Sequence, residues 1–437
     1  MKRINNSVLV LSLFAGMMYS NAQEKKQLSL DEAVQLGIQN SKSLKIDAAK
    51  IEEATADLLA AKNRQLPDLS VSASYLYLPV KPTIDLKIPG VSTAGGPEVH
   101  QVAYGSANVT VPIYSGGRIK YGIQSAKYLV EASKLSTEND KVAIAYNVAQ
   151  AYNNLFKANQ SIKVLEENLS ASQKRDETFL KLENSGVIAR NDRLKANLQT
   201  SNIELQLLEA KNNYNIANIN MDLLLGLPDN TEIEVDEQYI NESDDVKPVD
   251  FYLNEARENR KDLQALDQQR KAAALGTKSA KAENLPSIAF TGGYVAADIP
   301  KFLTIYNAVN VGVGVSYNLS NLWKENSALK QSQAREMQLS ATNEMMNDNI
   351  KLEVNREYQN SDYSKKRITV FEKAAVQANE NYRITKNKYD NGLATMTELL
   401  DADAAQIAAN VGVINAKADA ALAYRKLLQT TGTLTIK

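Results

Sequence analysis

The residue types that most often carry chemistry are scarce in this sequence. Among its 437 residues there is no cysteine and one histidine, His100. A chain without cysteine has no disulfide framework, thiolate zinc site, catalytic thiol or lipid anchor attached to a cysteine. One histidine leaves a Ser/His/Asp triad a single possible base and excludes a metal site built from several histidines. We therefore predict that the protein is not an enzyme and holds no cofactor or metal. A hydrolase that uses acidic residues is the remaining enzymatic alternative.

The charge balance and the low content of glycine and proline set further bounds. The 50 basic and 51 acidic side chains give a formal net charge of -1, without the basic excess of a nucleic-acid-binding protein. The chain has 19 glycines and 10 prolines, below the usual shares of about 7% and 5%. We therefore expect long uninterrupted secondary-structure elements and no nucleic-acid partner.

The first 22 residues have the pattern of a secretory signal peptide. Lys2 and Arg3 give a positive start, and residues 8–18 form a short apolar core. Small residues before the junction predict cleavage between Ala22 and Gln23. The apolar core is shorter than the roughly 20 residues of a membrane-spanning helix. The mature protein is therefore expected either to be soluble outside the cytoplasm or to cross a membrane as strands.

Two short motifs recur in the second half of the chain. Asn-Ser-Gly-Val at 184–187 is matched by Asp-Asn-Gly-Leu at 390–393. Gln-Leu-Pro-Asp-Leu at 65–69 is matched by Asn-Leu-Pro-Ser-Ile at 284–288. A separation this long indicates duplication of a whole structural unit and not a solenoid of short repeats. The two halves are therefore expected to contain the same order of elements.

The duplication predicts the domain organisation. After the signal peptide at 1–22, a first repeat of helix, β-hairpin and helix covers 23–230, and a second repeat covers 249–437. The acidic segment 231–248 between them is predicted to be a polar linker in an equatorial region, with no chemistry assigned to it. Prolines and glycines are concentrated in 79–99, which predicts a longer hairpin loop in the first repeat than in the second.

Four segments alternate apolar and polar residues with a period of two, the pattern of a β-strand with two different faces. The predicted strands are 69–77, 102–114, 287–294 and 309–319. Their lengths are comparable with the roughly 9–11 residues with which a strand crosses a membrane. Trp323 follows the last strand, where an aromatic side chain would be an interfacial anchor at the rim of the sheet.

The rest of each repeat has the pattern of long helices. Residues 118–184 and 324–390 each run for 67 positions without proline, which predicts rods of roughly 100 Å at 1.5 Å per residue. Gly186 and Gly392 follow these rods in turns that need the left-handed backbone conformation. Shorter helices are predicted over 29–64, 188–225 and 394–429.

Four strands do not close into a barrel on their own. An open sheet leaves two edges with unpaired backbone groups, and the smallest membrane barrels have about eight strands. Several chains are therefore expected to share one barrel. A dimer would supply eight strands and a trimer twelve, and this arithmetic leaves both open. The competing class is a secreted coiled-coil structural or adhesive protein, which accounts for the helices and not for the strands.

The order of the elements and two motifs resemble those of the TolC-like outer-membrane efflux proteins. The motifs are Val-Pro-Ile-Tyr-Ser-Gly-Gly-Arg at 111–118 and Tyr389-x-x-Gly392-x5-Glu398-Leu399-Leu400-x-Ala402, and the resemblance covers 28–432. It implies an α+β membrane protein in which three chains form a 12-stranded transmembrane β-barrel, four strands per chain. That barrel would be continuous with a long periplasmic α-helical barrel, with the internal duplication already described.

The resemblance also implies a function and a set of partners. The chain would be a passive, gated channel in the bacterial outer membrane, extending into the periplasm, and the exit duct for tripartite efflux of small molecules or for type I secretion. Its partners would be the other chains of a homotrimer, outer-membrane lipid, a periplasmic adaptor (membrane fusion) protein and an inner-membrane transporter of RND, ABC or MFS type. The adaptor would contact the turns at Gly186 and Gly392.

Residues of a periplasmic gate are implied by the same resemblance. Glu398 and Asp401 lie on one helix face because they are three residues apart, and they match the acidic rings that narrow the entrance in family members. Such a ring would favour cations and raise the pKa of its own carboxylates. Tyr389 and Asp192 match residues of the network that holds the helices closed.

One feature of some family members is absent from this sequence. Where those members have an arginine shortly after the glycine of the turn, this chain has Ala394. The corresponding salt bridge between helices is therefore missing. Arg190 or Arg193, which stand close to Asp192 in the other repeat, are the possible partners that would replace it.

Overall fold

The described part of the chain is mostly helical, with two small sheets. The computed structural model describes residues 25–80, 82, 99–228, 231–236, 239–240, 246–300 and 302–435. The predicted signal peptide at 1–22 and most of the predicted loop at 79–99 lie outside these residues. The helices are α1 (Leu30–Asn40), α2 (Lys42–Asn63), α3 (Arg118–Asn184), α4 (Arg190–Leu225), α5 (Val249–Asn259), α6 (Lys261–Ala282), α7 (Ser327–Asp390) and α8 (Met396–Thr431). The strands are β1 (Lys25–Leu28), β2 (Asp68–Tyr77), β3 (Gln101–Tyr114), β4 (Glu232–Val235), β5 (Ser287–Ile299) and β6 (Leu303–Ser316).

The chain divides into two compact units, and each draws on both halves of the sequence. The first unit consists of the described residues up to Lys45 together with 138–260 and 348–437, and the second of 46–137 and 261–347. Residues of α3 and α7 belong to both units. The repeat boundaries at 23–230 and 249–437 stay predictions, because a compact unit is not the same thing as a repeat. None of the described helices is both long enough and apolar enough to cross a membrane.

Three pairs of helices have equal lengths in the two halves of the chain. The helices α1 and α5 each have 11 residues, α2 and α6 each have 22, and α4 and α8 each have 36. The helices α4 and α8 also end in the same way, on Gly226 and Gly432 with φ of 68° and 72°. Both glycines are in the left-handed conformation that ends many helices. The two halves therefore share their scaffold down to the way these helices terminate.

The prediction of one continuous helix over 29–64 was wrong. The helix α1 ends and α2 begins on either side of Ser41, which has a φ of -58° and a ψ of 121°. The Ser41 hydroxyl oxygen accepts a hydrogen bond from the N–H of Leu44 at 3.3 Å. The side-chain amide of Asn40 donates to the carbonyl of Leu225 at 2.7 Å, so the end of α1 is fixed to the end of α4. Neither proline nor glycine stands next to Ser41, so the local signal of the break is the capping serine itself.

A small parallel sheet, which the sequence patterns did not predict, lies in the first unit. The strand β1 pairs with β4, from Lys25 opposite Glu232 to Leu28 opposite Val235. The segment 231–248, predicted as a polar linker, therefore contains a strand. Its basis is a four-residue alternation in which the two aliphatic side chains are buried and the glutamates are not.

Tyr152 of α3 joins this small sheet to the helices. Its hydroxyl donates to the carbonyl of Leu28 at 2.9 Å and accepts from the N–H of Asp236 at 2.7 Å. The ring is completely buried and lies 5.2 Å from the ring of Tyr239, centroid to centroid. Burial raises the pKa of Tyr152 to about 12, so the hydroxyl keeps its proton and both hydrogen bonds at neutral pH.

The second unit contains an antiparallel sheet with the strand order β2-β3-β5-β6. The four predicted strands are present, with shifted ends in the second hairpin. The strand β5 runs to Ile299, beyond the predicted end at 294, and β6 ends at Ser316. Of the three remaining predicted strand residues, 317–319, the last begins a short 3-10 helix at Leu319 instead. The Asn318 side chain accepts a hydrogen bond from the N–H of Ser320 at 3.1 Å, which favours that turn over a longer strand.

The two faces of this sheet differ in polarity. One face carries the apolar side chains of neighbouring strands in register, such as Leu69 opposite Val109. These side chains are largely exposed, with Leu69 and Val309 each 70% accessible. The other face carries small and polar residues, for example the row Ser70, Asn108, Gly293 and Asn310. The outer edges of β2 and β6 have no strand partner among the described residues.

The turn between β3 and α3 packs closely against the turn between α6 and β5. Gly116 in the first turn has a φ of 64°. A Cβ added to Gly116 would lie 2.9 Å from the carbonyl oxygen of Ala282 and 2.9 Å from the Cβ of Leu285. Both the left-handed backbone and these contacts require glycine at this position. The Ser-Gly-Gly-Arg motif therefore fixes the place where a hairpin of one half meets a helix end of the other.

Gly116→Ala is expected to destabilise the protein by about 2 kcal/mol, because alanine is strained in the left-handed region and its methyl group overlaps two neighbours. The matched control is Gly122→Ala in α3, where an added Cβ meets no atom within 4 Å. That control is expected to be neutral or to stabilise by up to about 1 kcal/mol. Thermal unfolding of the purified variants measures both changes, and similar effects for the two would contradict the requirement for glycine at Gly116.

Candidate functional site

The candidate site lies in the first unit, at the turn between α3 and α4 and at the turn between α7 and α8. Gly186 and Gly392 have φ of 76° and 74°, as predicted for glycines that end a helix. In the second turn the N–H of Leu393 donates to the carbonyl of Lys388 at 2.8 Å, and the first turn has the equivalent bond at 2.9 Å. The two turns therefore share one backbone design.

An apolar cluster packs the two turns against each other. Phe179 from α3, Ala196 from α4 and Met396 from α8 are buried in it. Tyr389 from α7 is half-buried at its border, with its ring 5.8 Å from that of Phe179. The predicted gate residue Tyr389 is thus a packing residue at the contact between the turns, with its hydroxyl left for polar interactions.

Asp192 lies near enough to Tyr389 for its charge to act on the tyrosine hydroxyl. Burial raises the pKa of the Tyr389 hydroxyl, and the charges of Asp192 and Asp390 raise it further. A negative charge beside a tyrosine opposes loss of the proton, so the hydroxyl stays a hydrogen-bond donor at neutral pH. The Lys195 ammonium lies 3.7 Å from the Asp192 carboxylate, one turn along the same helix. The role of this pair in holding a closed state stays a prediction.

The two arginines predicted as replacement partners have different surroundings. The Arg193 guanidinium forms an ion pair with the Glu183 carboxylate, within its own turn. Arg190, the first residue of α4, is exposed and forms no ion pair with any residue that the structure describes. In a single chain Arg193 is therefore already engaged, and Arg190 is the one that is open to a partner.

Glu398 caps its own helix. Its carboxylate accepts hydrogen bonds from the N–H and the hydroxyl of Thr395 at 2.6 and 2.9 Å, and the Thr395 hydroxyl oxygen accepts one from the N–H of Glu398 at 3.3 Å. This is a capping box, the same device that Ser29 and Glu32 form at the start of α1. The N–H of Thr395 is the main reason why the pKa of Glu398 is lowered.

The capping box could have been found in the sequence, because Thr-Met-Thr-Glu at 395–398 has the spacing that Ser29 and Glu32 have. Its counterpart in the first repeat is incomplete. Ala189 takes the N-cap position there and has no side-chain oxygen. Asp192, three residues on, is therefore not held by a cap. Asp401, the other acid of the predicted ring, is exposed on α8 and forms no ion pair with the described part of the chain.

A buried ion pair near the turns was missed by the sequence reasoning. The Arg175 guanidinium on α3 binds both carboxylate oxygens of Asp403 on α8 at 3.1 Å, and it donates to the hydroxyl of Tyr382 on α7 at 3.2 Å. The side chains of Arg175 and Asp403 are 14% and 6% exposed. Burial disfavours the charge of Arg175, but Asp403 and Tyr382 outweigh it and raise the pKa of the guanidinium. This link ties three helices of the two turns together.

The burial of Asp403, one member of this pair, could have been predicted from the sequence. Asp403 lies four residues after Leu399 and four before Ile407, and both of those side chains are buried. That spacing places the carboxylate on the buried face of α8, where an acid needs a cationic partner. The partner is 228 residues away in the chain, and no local pattern identifies it.

Arg175→Met is expected to destabilise the first unit by about 3–5 kcal/mol, because it leaves the Asp403 carboxylate buried without a partner. The double variant Arg175→Met with Asp403→Leu is expected to recover most of that loss. As a control, Lys366→Met breaks an exposed pair with Asp362 and is expected to cost less than about 1 kcal/mol. Chemical unfolding of the four proteins tests this, and a double variant no more stable than Arg175→Met would refute the pairing.

No metal centre accompanies these side chains. Among the described residues there is no group of three or more His, Cys, Asp or Glu side chains arranged to hold a metal ion. The arrangement at the turns offers carboxylates, a tyrosine hydroxyl and interhelix ion pairs. Chemically it can attract cations and hold helices together.

Solved structures similar to this chain include outer-membrane proteins of bacteria. The chain is similar to the outer membrane protein VceC of Vibrio cholerae, with a TM-score of 0.78, 18% identity, and coverage of 92% of this chain and 96% of that one. The CmeC outer membrane channel of Campylobacter jejuni gives a TM-score of 0.75 at 17% identity, with coverage of 93% and 86%. The MtrE outer membrane channel of Neisseria gonorrhoeae, in its open state, gives 0.74 at 16% identity, with coverage of 93% and 89%. Likeness at these identities establishes the fold.

The family model for outer membrane efflux proteins matches residues 33–227 and 252–433. These matches cover most of the chain, and the protein therefore belongs to the outer membrane efflux protein family. The predicted family, the location in the outer membrane and the assignment to a class of non-enzymatic channels are thereby confirmed. The alternative of a secreted coiled-coil structural or adhesive protein is not supported. A search of curated protein sequences gave no match.

Proposed function

We propose that three copies of this chain form a gated exit duct through the outer membrane. The observation that carries the proposal is the sheet of the second unit. It exposes apolar side chains on one face and has small and polar residues on the other, and neither edge has a strand partner in the described part of the chain. Three such sheets joined edge to edge give a 12-stranded barrel with its apolar face toward lipid and its polar face toward the pore.

Closure by identical copies is compatible with the strand directions. The four strands are antiparallel throughout, so β2 and β6 run in opposite directions. When β6 of one chain meets β2 of the next, the new pair is antiparallel as well. A ring of such chains has an even number of strands and no edges, as membrane barrels require.

The width of the pore favours three copies over two. An eight-stranded barrel has an interior that side chains fill, which is too narrow for a duct. Twelve strands give a larger circumference, and the small residues of the polar face, such as Gly293 and Gly312, leave the interior open. The family resemblance implies the same number. The helices α3, α4, α7 and α8 of the three chains would form the periplasmic α-helical barrel.

The proposed gate uses the two turns of the first unit. A ring of Glu398 and Asp401 from three chains would concentrate negative charge at the entrance and favour cations. Within one chain the two acids differ, because Glu398 is bonded to Thr395 while Asp401 is exposed. Asp401 is therefore the acid that would respond more strongly to the charges of the other chains.

The closed state would be held by contacts between the turns of one chain and by contacts between chains. The Arg175 and Asp403 pair, supported by Tyr382, is the internal restraint. The charge of Asp192 near Tyr389 would add a second polar interaction in the same region. Arg190, exposed at the start of α4, would be the cation that reaches a neighbouring chain.

The duct would work with partners that supply energy and selection. The chain itself has no site for a nucleotide or other energy source that its sequence reveals, so an inner-membrane transporter of RND, ABC or MFS type would drive transport. A periplasmic adaptor would connect the two, in contact with the turns at Gly186 and Gly392. The cargo class, small molecules of tripartite efflux or substrates of type I secretion, would be chosen by the transporter.

Disulfide trapping tests the number of chains in the assembly. Because the sequence has no native cysteine, only the introduced thiols can form disulfides. Ser72→Cys on β2 is combined in turn with cysteine at Ala308, Asn310 or Gly312 of β6, all on the polar face. We expect oxidation of at least one pairing to give linked dimers and linked trimers on denaturing gels, and nothing larger.

Ser72→Cys alone is the control and is expected to give no linked trimer. If the largest linked product is a dimer, the assembly contains two chains and not three. A complete absence of links across all three pairings would contradict the edge-to-edge closure itself.

Single-channel recording tests the acidic ring. The wild-type protein in a planar bilayer with a salt gradient is expected to prefer cations, and Glu398→Gln with Asp401→Asn is expected to lose most of that preference because the charge at the entrance is gone. The control, Glu344→Gln with Asp348→Asn, removes the same charge from exposed positions of α7. It is expected to change the cation preference little.

Equal loss of cation preference in both double variants would show that the ring at Glu398 and Asp401 is not the selective element. A wild-type protein that forms no pore at all would contradict the proposed duct.

A further inference from the structure

We propose that the helix ends next to the sheet of the second unit bind the phosphate groups of anionic phospholipids, chiefly in a groove between α3 and α6. The proposal rests on the proposed function, because it requires the sheet to lie in a membrane. It adds a specific lipid partner and names the residues that recognise it.

The topology brings four helix ends to one end of the sheet. The strands β2 and β5 begin where their antiparallel neighbours β3 and β6 finish. The preceding helices α2 and α6 and the following helices α3 and α7 therefore all join the sheet at that end. The two hairpin connections lie at the other end. Side chains at these four helix ends would stand at the border of any membrane that the sheet crosses.

The side chains at this border are predominantly basic. No acid occurs among residues 118–130 of α3 or among residues 268–282 of α6. Acids near the border are Asp68, Glu283 and Glu325, the last paired with Lys330 at 2.7 Å. Exposed cations at the four helix ends include Lys62, Arg64, Arg118, Lys120, Lys281 and Lys324. The excess of positive charge suits a surface of anionic headgroups.

A groove between α3 and α6 concentrates this charge. The two helices are in contact, with the hydroxyl of Ser125 donating to the carbonyl of Ala272 at 3.0 Å. The groove beside this contact has a volume of about 560 Å³. Its polar lining consists of Gln124, Lys127, Tyr128, Lys271 and Lys278.

Two of the three lysines have no counter-charge of their own. Lys127 and Lys278 form no ion pair with any described residue, whereas the Lys271 ammonium lies 2.7 Å from the carboxylate of Asp267. The net charge of the group is therefore positive. Three ammonium groups with an amide and a phenol hydroxyl supply donors for the oxygens of a phosphate.

The position of the groove favours a lipid over a free phosphate ion. Lys278 is four residues from the end of α6, about 6 Å along the helix axis. Lys127 and Lys271 are nine and eleven residues from the helix ends that adjoin the sheet, about 14 and 17 Å. The headgroup layer on each side of a bilayer is roughly 5–8 Å thick, so Lys278 is within reach of it and the other two lysines would attract anionic headgroups over a longer distance.

The test measures binding of a fluorescent phosphatidylglycerol to the full mature protein in nonionic detergent. Lys127→Gln, Lys271→Gln and Lys278→Gln are combined in one variant. Loss of roughly fivefold for each lysine predicts a decrease in affinity of about 100-fold for the three. The matched control, Lys174→Gln with Lys373→Gln and Lys388→Gln, removes three exposed charges from the first unit and is expected to bind like the wild type.

Two further measurements identify the source of the phosphate. Wild-type binding of phosphatidylglycerol is expected to weaken with salt and to exceed binding of phosphatidylethanolamine. Inorganic phosphate at equal concentration is expected to compete poorly, and competition as strong as that of the lipid would overturn the lipid proposal. These wild-type comparisons hold even if the triple variant does not fold.

The failure of this inference is distinguishable from failure of the proposed function. Insertion of the wild type into vesicles of phosphatidylethanolamine with phosphatidylglycerol, together with equal lipid affinity for wild type and triple variant, would refute the groove alone. Absence of insertion into these vesicles would refute the membrane duct and the groove together.

Discussion

The four-stranded sheet of the second unit needs strand partners at both edges. The outer sides of β2 and β6 carry backbone N–H and C=O groups without a strand partner in the described chain. Such groups cost several kcal/mol each in lipid, while a face that exposes Leu69 and Val309 is poorly suited to water. Further strands of the same kind would pair the edges, and lipid would cover the apolar face. The proposed barrel of several chains, its pore and the arrangement of the helices follow from this closure.

The duplicated scaffold carries two turns with the same backbone and different electrostatics. Both end a long helix on a left-handed glycine. In the second repeat Thr395 binds the carboxylate of Glu398, while in the first repeat Ala189 leaves Asp192 uncapped. The uncapped acid is the one that lies near Tyr389 of the other turn. Glu398 is thus bound to the N-cap of its own helix, whereas Asp192 pairs with Lys195 and its charge also acts on Tyr389 of another helix.

Much of this fold follows from local sequence patterns. The first long helix begins at Arg118 and ends at Asn184 as predicted, because proline-free periodicity and a terminal glycine are local signals. The break at Ser41 is not marked by a neighbouring proline or glycine, and the four-residue pairing of β1 with β4 has no such local signal. Only part of the candidate site could be predicted from the sequence. Thr395 and Glu398 form a local motif, whereas Arg175 and Asp403 are brought together only by the tertiary fold.

The distribution of charged residues between the large sheet and the helix turns bears on where the proposed duct would select solutes by charge. The four strands of the large sheet contain no lysine, arginine or glutamate, and their two aspartates, Asp68 and Asp298, lie at or next to strand ends. In the proposed duct the pore face of the sheet would therefore meet a solute with hydroxyl and amide groups such as those of Ser70 and Asn108. Groups of this kind exchange hydrogen bonds with water at little net cost and discriminate weakly by charge. Within the proposed duct, any selection by charge would therefore fall to the helix turns and not to the sheet.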